Sequence, residues 1–209
     1  MKIAVINETS AADKNKDIIA ALEGRGHEII NAGMTRSGDE PELTYIHTGF
    51  MAALLLNTGR VDLVIGGCGT GQGFLNAAMQ YPNIVCGHIV TPLDAWLFTQ
   101  INAGNCISLM LNQGYGWASE HNLKFVFDAL FSVERGCGYP EHRKQSQKQS
   151  RELLESISRS SHAPMAHIVS VLPDEVVKPS LLFSGFMRIL DVDSLGDEAL
   201  KQAILKRMS

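Results

Sequence analysis

The sequence lacks a long apolar segment and any large cluster of charge of one sign. Its longest uninterrupted apolar run, residues 50–56, is far short of the roughly 20 residues that span a bilayer. The opening residues MKIAVINETS have neither the long apolar region nor the small-residue cleavage site of a signal peptide. Net charge is −4, and basic residues gather only in EHRKQSQK at positions 141–148. We therefore expect a cytoplasmic protein that binds neither nucleic acid nor a membrane.

Cysteine is also scarce, since the chain has four, far apart and without a C-x-x-C pair. This spacing argues against a zinc site and against a disulfide framework, so we expect no bound metal and free thiols. With 209 residues, 45% of them apolar, the chain is long enough to bury an ordinary core. The composition predicts one globular domain, with or without an appendage.

Apolar runs rich in isoleucine and valine alternate with segments typical of helices. The five runs are KIAVI, HEIINAG, VDLVIGG, NIVCGHIV and NCISLML. Such alternation predicts an α/β fold, a Rossmann-like parallel five-stranded sheet sandwiched by helices. We expect this domain over residues 1–150 and a C-terminal extension over 151–209, helical or mixed, that caps the sheet or extends an interface. In the extension, HIVSVL is typical of a strand, and a final helix is expected to begin at Asp193 or Ser194.

The stretch IGGCGTGQG, residues 65–73, places one cysteine and one threonine among five glycines after a predicted strand. A dinucleotide fingerprint and a P-loop both fail, because the first strand-to-helix turn has no glycine and no lysine follows the last glycine of the stretch. We expect no cofactor. The amides of Gly69, Gly71 and Gly73 can converge on an anion, and we expect the thiol of Cys68 to be a base beside this oxyanion site. The alternative is a small buried thiol in a tight turn.

The pattern strand-CGTG-x-G-helix resembles the sugar-phosphate isomerases of the ribose-5-phosphate isomerase B and galactose-6-phosphate isomerase family, over roughly residues 1–150. The resemblance implies that Cys68 is the base that moves a proton between adjacent carbons and that Thr70 assists. It also implies that the amides of Gly69, Gly71 and Gly73 hold the enediolate. Members assemble as dimers or dimers of dimers, so a homodimer or tetramer with shared active sites is expected.

Further matches to that family are weaker. The resemblance to the family places Tyr45 and His47 of TYIHTG, and Asn102 of INAGN, near the substrate. Glu8 stands where the family binds sugar hydroxyls, and Arg143 lies in the segment that supplies its phosphate-binding arginines. The alternatives are a helix N-terminus at an interface for the TYIHTG pair, an ordinary turn for INAGN, and a solvated face for the basic segment.

Two positions depart from the family pattern. Thr9 stands where the family has a histidine that contacts phosphate, and Ile101 replaces the histidine credited with opening the sugar ring. An apolar side chain cannot move the proton between ring oxygen and anomeric hydroxyl. We therefore expect a substrate that needs no ring opening, such as an open-chain short sugar phosphate. A tetrose esterified at its terminal hydroxyl is one example.

These residues predict an aldose–ketose isomerase that works through a cis-enediolate, with Cys68 as base and Thr70 as proton relay. The alternative is a non-catalytic protein of the same fold that binds a sugar phosphate. The thiol favours the enzyme, and the changed positions Thr9 and Ile101 favour the binding protein. A thiol-based redox or acyl-transfer enzyme would require His88 beside Cys68.

Overall fold

Residues 1–208 are described by a computed structural model, in which five strands form a single parallel sheet. The strands are β1 (Lys2–Asn7), β2 (Glu28–Asn31), β3 (Leu63–Cys68), β4 (Cys86–Ile89) and β5 (Cys106–Met110). Their order across the sheet is β2-β1-β3-β5-β4. The five predicted strands and the parallel α/β architecture are thereby confirmed.

Ten α-helices lie within residues 1–208, and most of them connect or cover the strands. They are α1 (Asn15–Leu22), α2 (Tyr45–Asn57), α3 (Gln72–Ala78), α4 (Pro92–Leu97), α5 (Ser119–Phe131), α6 (Lys144–Ser161), α7 (Met165–Val171), α8 (Asp174–Leu182), α9 (Phe186–Leu190) and α10 (Glu198–Met208). A π-helical turn, Phe98–Asn102, continues α4 toward β5. None of these helices combines the length and the apolar character needed to cross a bilayer.

Both faces of the sheet are buried, as the continuous apolar runs of its strands require. On one face, Ile3 and Val5 of β1 pack with residues of α1, α4 and α5. On the other face, Ala4 and Ile6 pack with α2, α3 and the C-terminal helices. The alternation along β1 follows from the period of two in a strand, which points successive side chains to opposite faces.

The C-terminal extension is helical and joins the hydrophobic core on the α2 side of the sheet. Residues from α7, α8, α9 and α10, among them Val169, Leu181 and Phe186, belong to the same buried cluster as α2. Arg60 fastens the extension further, because its guanidinium donates to the carbonyl oxygens of Leu190 and Asp191 at 2.8 Å each. The predicted boundary after residue 150 lies inside α6, which runs across it without interruption.

The strand predicted in HIVSVL is wrong, because this run forms α7 and the residue after it. Met165 and Val169 are buried, and Ile168 and Leu172 pack beside them. This spacing of i, i+3, i+4 and i+7 is that of one helix face. The last helix, α10, begins at Glu198, a few residues beyond the predicted start, and a single 3-10 turn occupies Val192–Ser194.

Candidate active site

The glycine-rich stretch forms the turn between β3 and α3 at the carboxyl edge of the sheet. Cys68 ends β3 and is 5% exposed, and its carbonyl oxygen accepts the Gly71 amide at 3.3 Å. Gly71 has φ +76°, a backbone conformation that side chains with a Cβ rarely adopt. The turn therefore leads the chain directly from the central strand β3 into α3, and Cys68 lies at the start of the turn.

This turn lies where the sheet's connections change direction. The chain passes from β1 to β2 on one side of the sheet and then adds β3, β4 and β5 on the other side of β1, so the crevice between β1 and β3 is the switch point. In open α/β sheets, ligands bind in that crevice, outside the carboxyl ends of the strands. Cys68 ends one of the two strands that border it, and Glu8 directly follows the other.

Residues that follow β1 and β5 close over the turn. The Gly69 amide donates to Ser10 Oγ at 3.0 Å, and the Ser10 hydroxyl donates to Glu8 Oε1. From the other side, Asn112 Nδ2 donates to the Ser10 carbonyl oxygen at 2.7 Å, and the Asn112 amide donates to the Gly69 carbonyl oxygen at 3.0 Å. Two of the three predicted oxyanion donors, the amides of Gly69 and Gly71, thus already have partners within the chain.

Ser10 and Asn112 were not among the predicted site residues. The signal that points to them is a short run of polar residues after an apolar strand run, in KIAVINETS and in NCISLMLNQG. Because parallel strands end at the same edge of the sheet, polar residues after β1 and β5 meet the turn after β3. Ser108 adds a further contact, since its hydroxyl donates to the Gly71 carbonyl oxygen at 2.5 Å.

His88 holds the turn from the side of β4. Its Nδ1 accepts a hydrogen bond from the Gln72 side-chain amide at 3.2 Å, so Nε2 carries the proton and donates to the Thr70 carbonyl oxygen at 3.1 Å. Both ring nitrogens of His88 are therefore occupied by the loop and do not meet Cys68. This arrangement does not supply the cysteine–histidine pair that a redox or acyl-transfer mechanism requires.

The four thiols differ in their surroundings. Cys106 is fully buried, and burial together with the hydrogen bond to Cys86 raises the pKa of its thiol well above the usual value. Cys137 donates to Gln100 Oε1 at 3.3 Å, beside the π-helical turn. Cys68 alone among them ends a strand at the carboxyl edge, where the polar groups of the site collect.

Tyr45 and His47, both at the start of α2, have different environments. Tyr45 is 43% exposed, and its ring covers Gly73, where an added Cβ would lie 2.9 Å from the ring. His47 Nδ1 accepts the Thr44 amide at 2.8 Å, and its Nε2 donates to the Glu175 carbonyl oxygen at 2.8 Å. Tyr45 thus faces the turn, whereas His47 joins the helix N-terminus to the C-terminal extension. This environment resembles the alternative interpretation of TYIHTG, in which the pair stands at a helix N-terminus. Both ring nitrogens of His47 are engaged, so none is free for a substrate.

Asn102 and Arg143 lie away from Cys68 in the same chain. Asn102 ends the π-helical turn that leads into the amino end of β5, while Cys68 is in register with Met110 at the other end of that strand. The two ends of β5 are four residue steps apart, a distance of roughly 13 Å. Arg143 is exposed, and its Nε donates to Ser146 Oγ at 3.3 Å. One chain by itself does not bring these two residues to the turn.

Comparison with known proteins finds the same architecture in sugar isomerases. The profile of the ribose/galactose isomerase family matches residues 3–145. A solved 4-deoxy-L-threo-5-hexosulose-uronate ketol-isomerase, in complex with a tartrate, is 33% identical over 100% of this chain and 99% of its own, with a TM-score of 0.92. The ribose-5-phosphate isomerase LacAB_rpiB of Vibrio parahaemolyticus is 36% identical over 99% of each chain, with a TM-score of 0.93. No curated protein sequence matches.

Solved structures of shorter proteins match a smaller share of this chain. The ribose 5-phosphate isomerase of Thermotoga maritima is 23% identical and covers 71% of this chain but 97% of its own, with a TM-score of 0.57. Its likeness is therefore one of fold. The extension is shared with the two full-length relatives, which cover it completely or almost so.

Proposed function

This chain belongs to the ribose/galactose isomerase family, and we propose that it interconverts an aldose and a ketose through a cis-enediolate, with Cys68 as the base. The observation that carries the proposal is the position of Cys68 at the end of β3, within a turn that Ser10, Asn112 and His88 surround. A thiolate there takes the proton from C2 of the aldose and returns it to C1.

The proton on the substrate oxygens must also move, because the aldose carries it on O2 and the ketose on O1. The family resemblance assigns this proton relay to Thr70. It assigns the stabilisation of the negative charge on the enediolate to the glycine amides. The Thr70 hydroxyl accepts the Gln72 amide at 3.3 Å, and Gly73 lies in the first turn of α3, where amides have no carbonyl partner within the helix.

We infer further that the substrate reacts in its open-chain form and carries an anionic end. Ile101 supplies no group for ring opening, and its carbonyl oxygen accepts Arg151 at 2.8 Å, so the position serves as a structural anchor of α6. The uronate isomerase that matches this chain throughout acts on a compound that has no hydroxyl on C4 and a ketone on C5. That compound therefore has no hydroxyl on C4 or C5 that could close a ring onto the aldehyde. A tetrose 4-phosphate also has no free hydroxyl that could close a furanose ring, because its C4 oxygen is esterified.

Four compounds decide between substrate classes: 4-deoxy-L-threo-5-hexosulose-uronate, a tetrose 4-phosphate, ribose 5-phosphate and a hexose 6-phosphate. We expect exchange of the C2 proton with solvent deuterium, followed by NMR, to be faster with one of the first two. The reason is that these two present a free carbonyl without ring opening. Equal or faster exchange with ribose 5-phosphate would contradict the open-chain proposal. Exchange with none would favour the binding-protein alternative.

We propose in addition that two copies of the chain share each active site. Asn102 and Arg143 are predicted substrate contacts, yet both lie away from Cys68 of their own chain. In the symmetric pair that we propose, the amino end of β5 in one copy would lie toward the turn of the other. The predicted cation of Arg143 would then meet the anionic end of a substrate held by the partner's turn.

Mixing two inactive variants tests this arrangement. We expect Cys68→Ala and Asn102→Ala each to lose activity alone, and their equimolar mixture, refolded together, to recover about a quarter of the wild-type rate. Half of the random dimers then hold one intact site out of two. Light scattering measures the oligomeric state in parallel. A fully active monomer, or an Asn102→Ala variant with wild-type activity, would contradict the shared site.

A further inference from the structure

Glu8 and Ser10 form a hydrogen-bonded pair at the edge of the candidate active site. Glu8 is only 3% exposed, although carboxylates are seldom buried without a partner. Its Oε1 accepts the Ser10 hydroxyl, and Ser10 Oγ in turn accepts the Gly69 amide at 3.0 Å. The pair therefore connects a buried carboxylate to the residue that directly follows Cys68.

Ser10 has room for one more hydrogen bond. A serine hydroxyl has one donor and two acceptor positions. The donor is used by Glu8 and one acceptor by Gly69. Within residues 1–208 the second acceptor position has no partner, and the Ser10 side chain is exposed. A substrate hydroxyl beside the turn can donate to it.

Thr70 lacks an equivalent connection. Its hydroxyl accepts the Gln72 amide at 3.3 Å, and no hydrogen bond joins it to a carboxylate within residues 1–208. A hydroxyl without such a partner can accept a proton from one substrate oxygen only while it gives its own proton to the other. A hydroxyl bonded to a carboxylate can pass its proton on and take it back later, because the carboxylate stores the proton in between. This difference favours the Glu8–Ser10 pair as the relay.

We propose that Ser10, backed by Glu8, moves the proton between O2 and O1 of the enediolate. The proposal rests on the isomerase function proposed above. After Cys68 has taken the proton from C2, the O2 hydroxyl gives its proton to Ser10 Oγ, and Ser10 passes its own proton to Glu8 Oε1. Glu8 then returns a proton to Ser10, which protonates O1, while Cys68 delivers its proton to C1.

These proton transfers balance without any further reactant. The C2–H and O2–H bonds break, and the C1–H and O1–H bonds form. Cys68, Ser10 and Glu8 end as they began, and no electron is gained or lost by the protein. Ser10 is the catalytic residue in this scheme because it touches the substrate, and Glu8 is the residue that positions it and holds the proton.

The scheme separates two steps that a single experiment can measure. Removal of the relay leaves Cys68 able to take the C2 proton and return deuterium from solvent, but it stops the conversion to ketose. In Ser10→Ala we expect isomerisation to fall about 10²-fold while C2 exchange in D2O falls only a few-fold. Both rates are followed by NMR, with whichever of the four compounds named above the wild-type protein exchanges fastest.

Three further variants complete the test. Ser10→Thr keeps the hydroxyl and is expected to restore isomerisation, and Glu8→Gln, which keeps the shape but cannot take a proton, is expected to behave as Ser10→Ala. Thr70→Ala is expected to keep the ratio of isomerisation to exchange. If Thr70→Ala instead lost isomerisation alone while Ser10→Ala kept it, the relay would be Thr70 and the proposal would be overturned.

Failure of the relay and failure of the isomerase function give different results. A wild-type protein that exchanges the C2 proton of none of the four compounds contradicts the proposed function itself. A wild-type protein that isomerises, together with Ser10→Ala that isomerises equally well, contradicts the relay alone. Loss of exchange and of isomerisation in equal measure in Ser10→Ala, without loss of folding by circular dichroism, also contradicts it, because Ser10 would then serve the first step.

Discussion

Replacement of Cys68 by alanine is expected to abolish isomerisation and C2 proton exchange together. The proposed mechanism gives both the removal and the return of the carbon-bound proton to this thiol, so neither step survives its loss. General acid–base groups of this kind contribute about 10²-fold or more to the rate. We expect at least that loss in NMR-detected deuterium exchange in D2O. The fold should persist, because the change removes one sulfur atom at the end of a strand.

Cys106→Ala is the matched control for that experiment. It removes a thiol of the neighbouring strand β5 that is fully buried in the sheet, so no substrate can touch it. We expect it to keep wild-type exchange, while thermal unfolding reports any loss of stability in either variant. Cys68→Ala with wild-type turnover would exclude the thiol as the base. Loss of activity in both variants would point to a general effect of cavities in the sheet.

Gly67→Ala is expected to destabilise the protein severely. A Cβ at this position would lie 2.4 Å from the carbonyl oxygen of Leu109, which belongs to the neighbouring strand β5. Because that oxygen is part of the backbone of a central strand, it cannot move without disturbing the pairing of β3 and β5. We expect a loss of about 3 kcal/mol or more in the free energy of unfolding, measured by urea titration. The turn that holds Cys68 should lose its geometry as well.

Gly116→Ala tests whether that loss is specific. No heavy atom lies within 4 Å of a Cβ added there. The unfolding free energy should change by no more than about 0.5 kcal/mol. An equal loss in both variants would contradict a specific role for the contact with Leu109, because Gly→Ala by itself lowers the entropy of the unfolded chain and favours folding. A wild-type urea midpoint for Gly67→Ala would contradict the close approach of the two strands.

The fold was accessible from the sequence because its signals are local. Runs of isoleucine and valine that alternate with helical segments can be read within a few residues, and all five strands were found in this way. The error in HIVSVL has the same origin. Taken alone, its β-branched residues favour a strand, whereas the adjoining Met165 extends them into a helix face that packs on α10 and the core.

The candidate site was accessible only in part. The strand-to-turn pattern around Cys68 is local, and the turn lies where it was predicted. His47 was placed near the substrate because its neighbours in sequence resemble a family segment. Its actual partner is the carbonyl oxygen of Glu175, 128 residues further along the chain, and no short pattern encodes that contact.

The sequence by itself determined the parallel α/β fold, the turn after β3 and the thiol that begins it. Only the tertiary structure decided that Ser10 and Asn112, 102 residues apart in sequence, meet at this turn, and that Asn102 lies at the opposite end of the sheet. The physical reason is the range of the interactions. Helices, strands and turns follow from neighbouring residues, whereas the partners of a side chain depend on strand order and register, which the packing of the whole core selects.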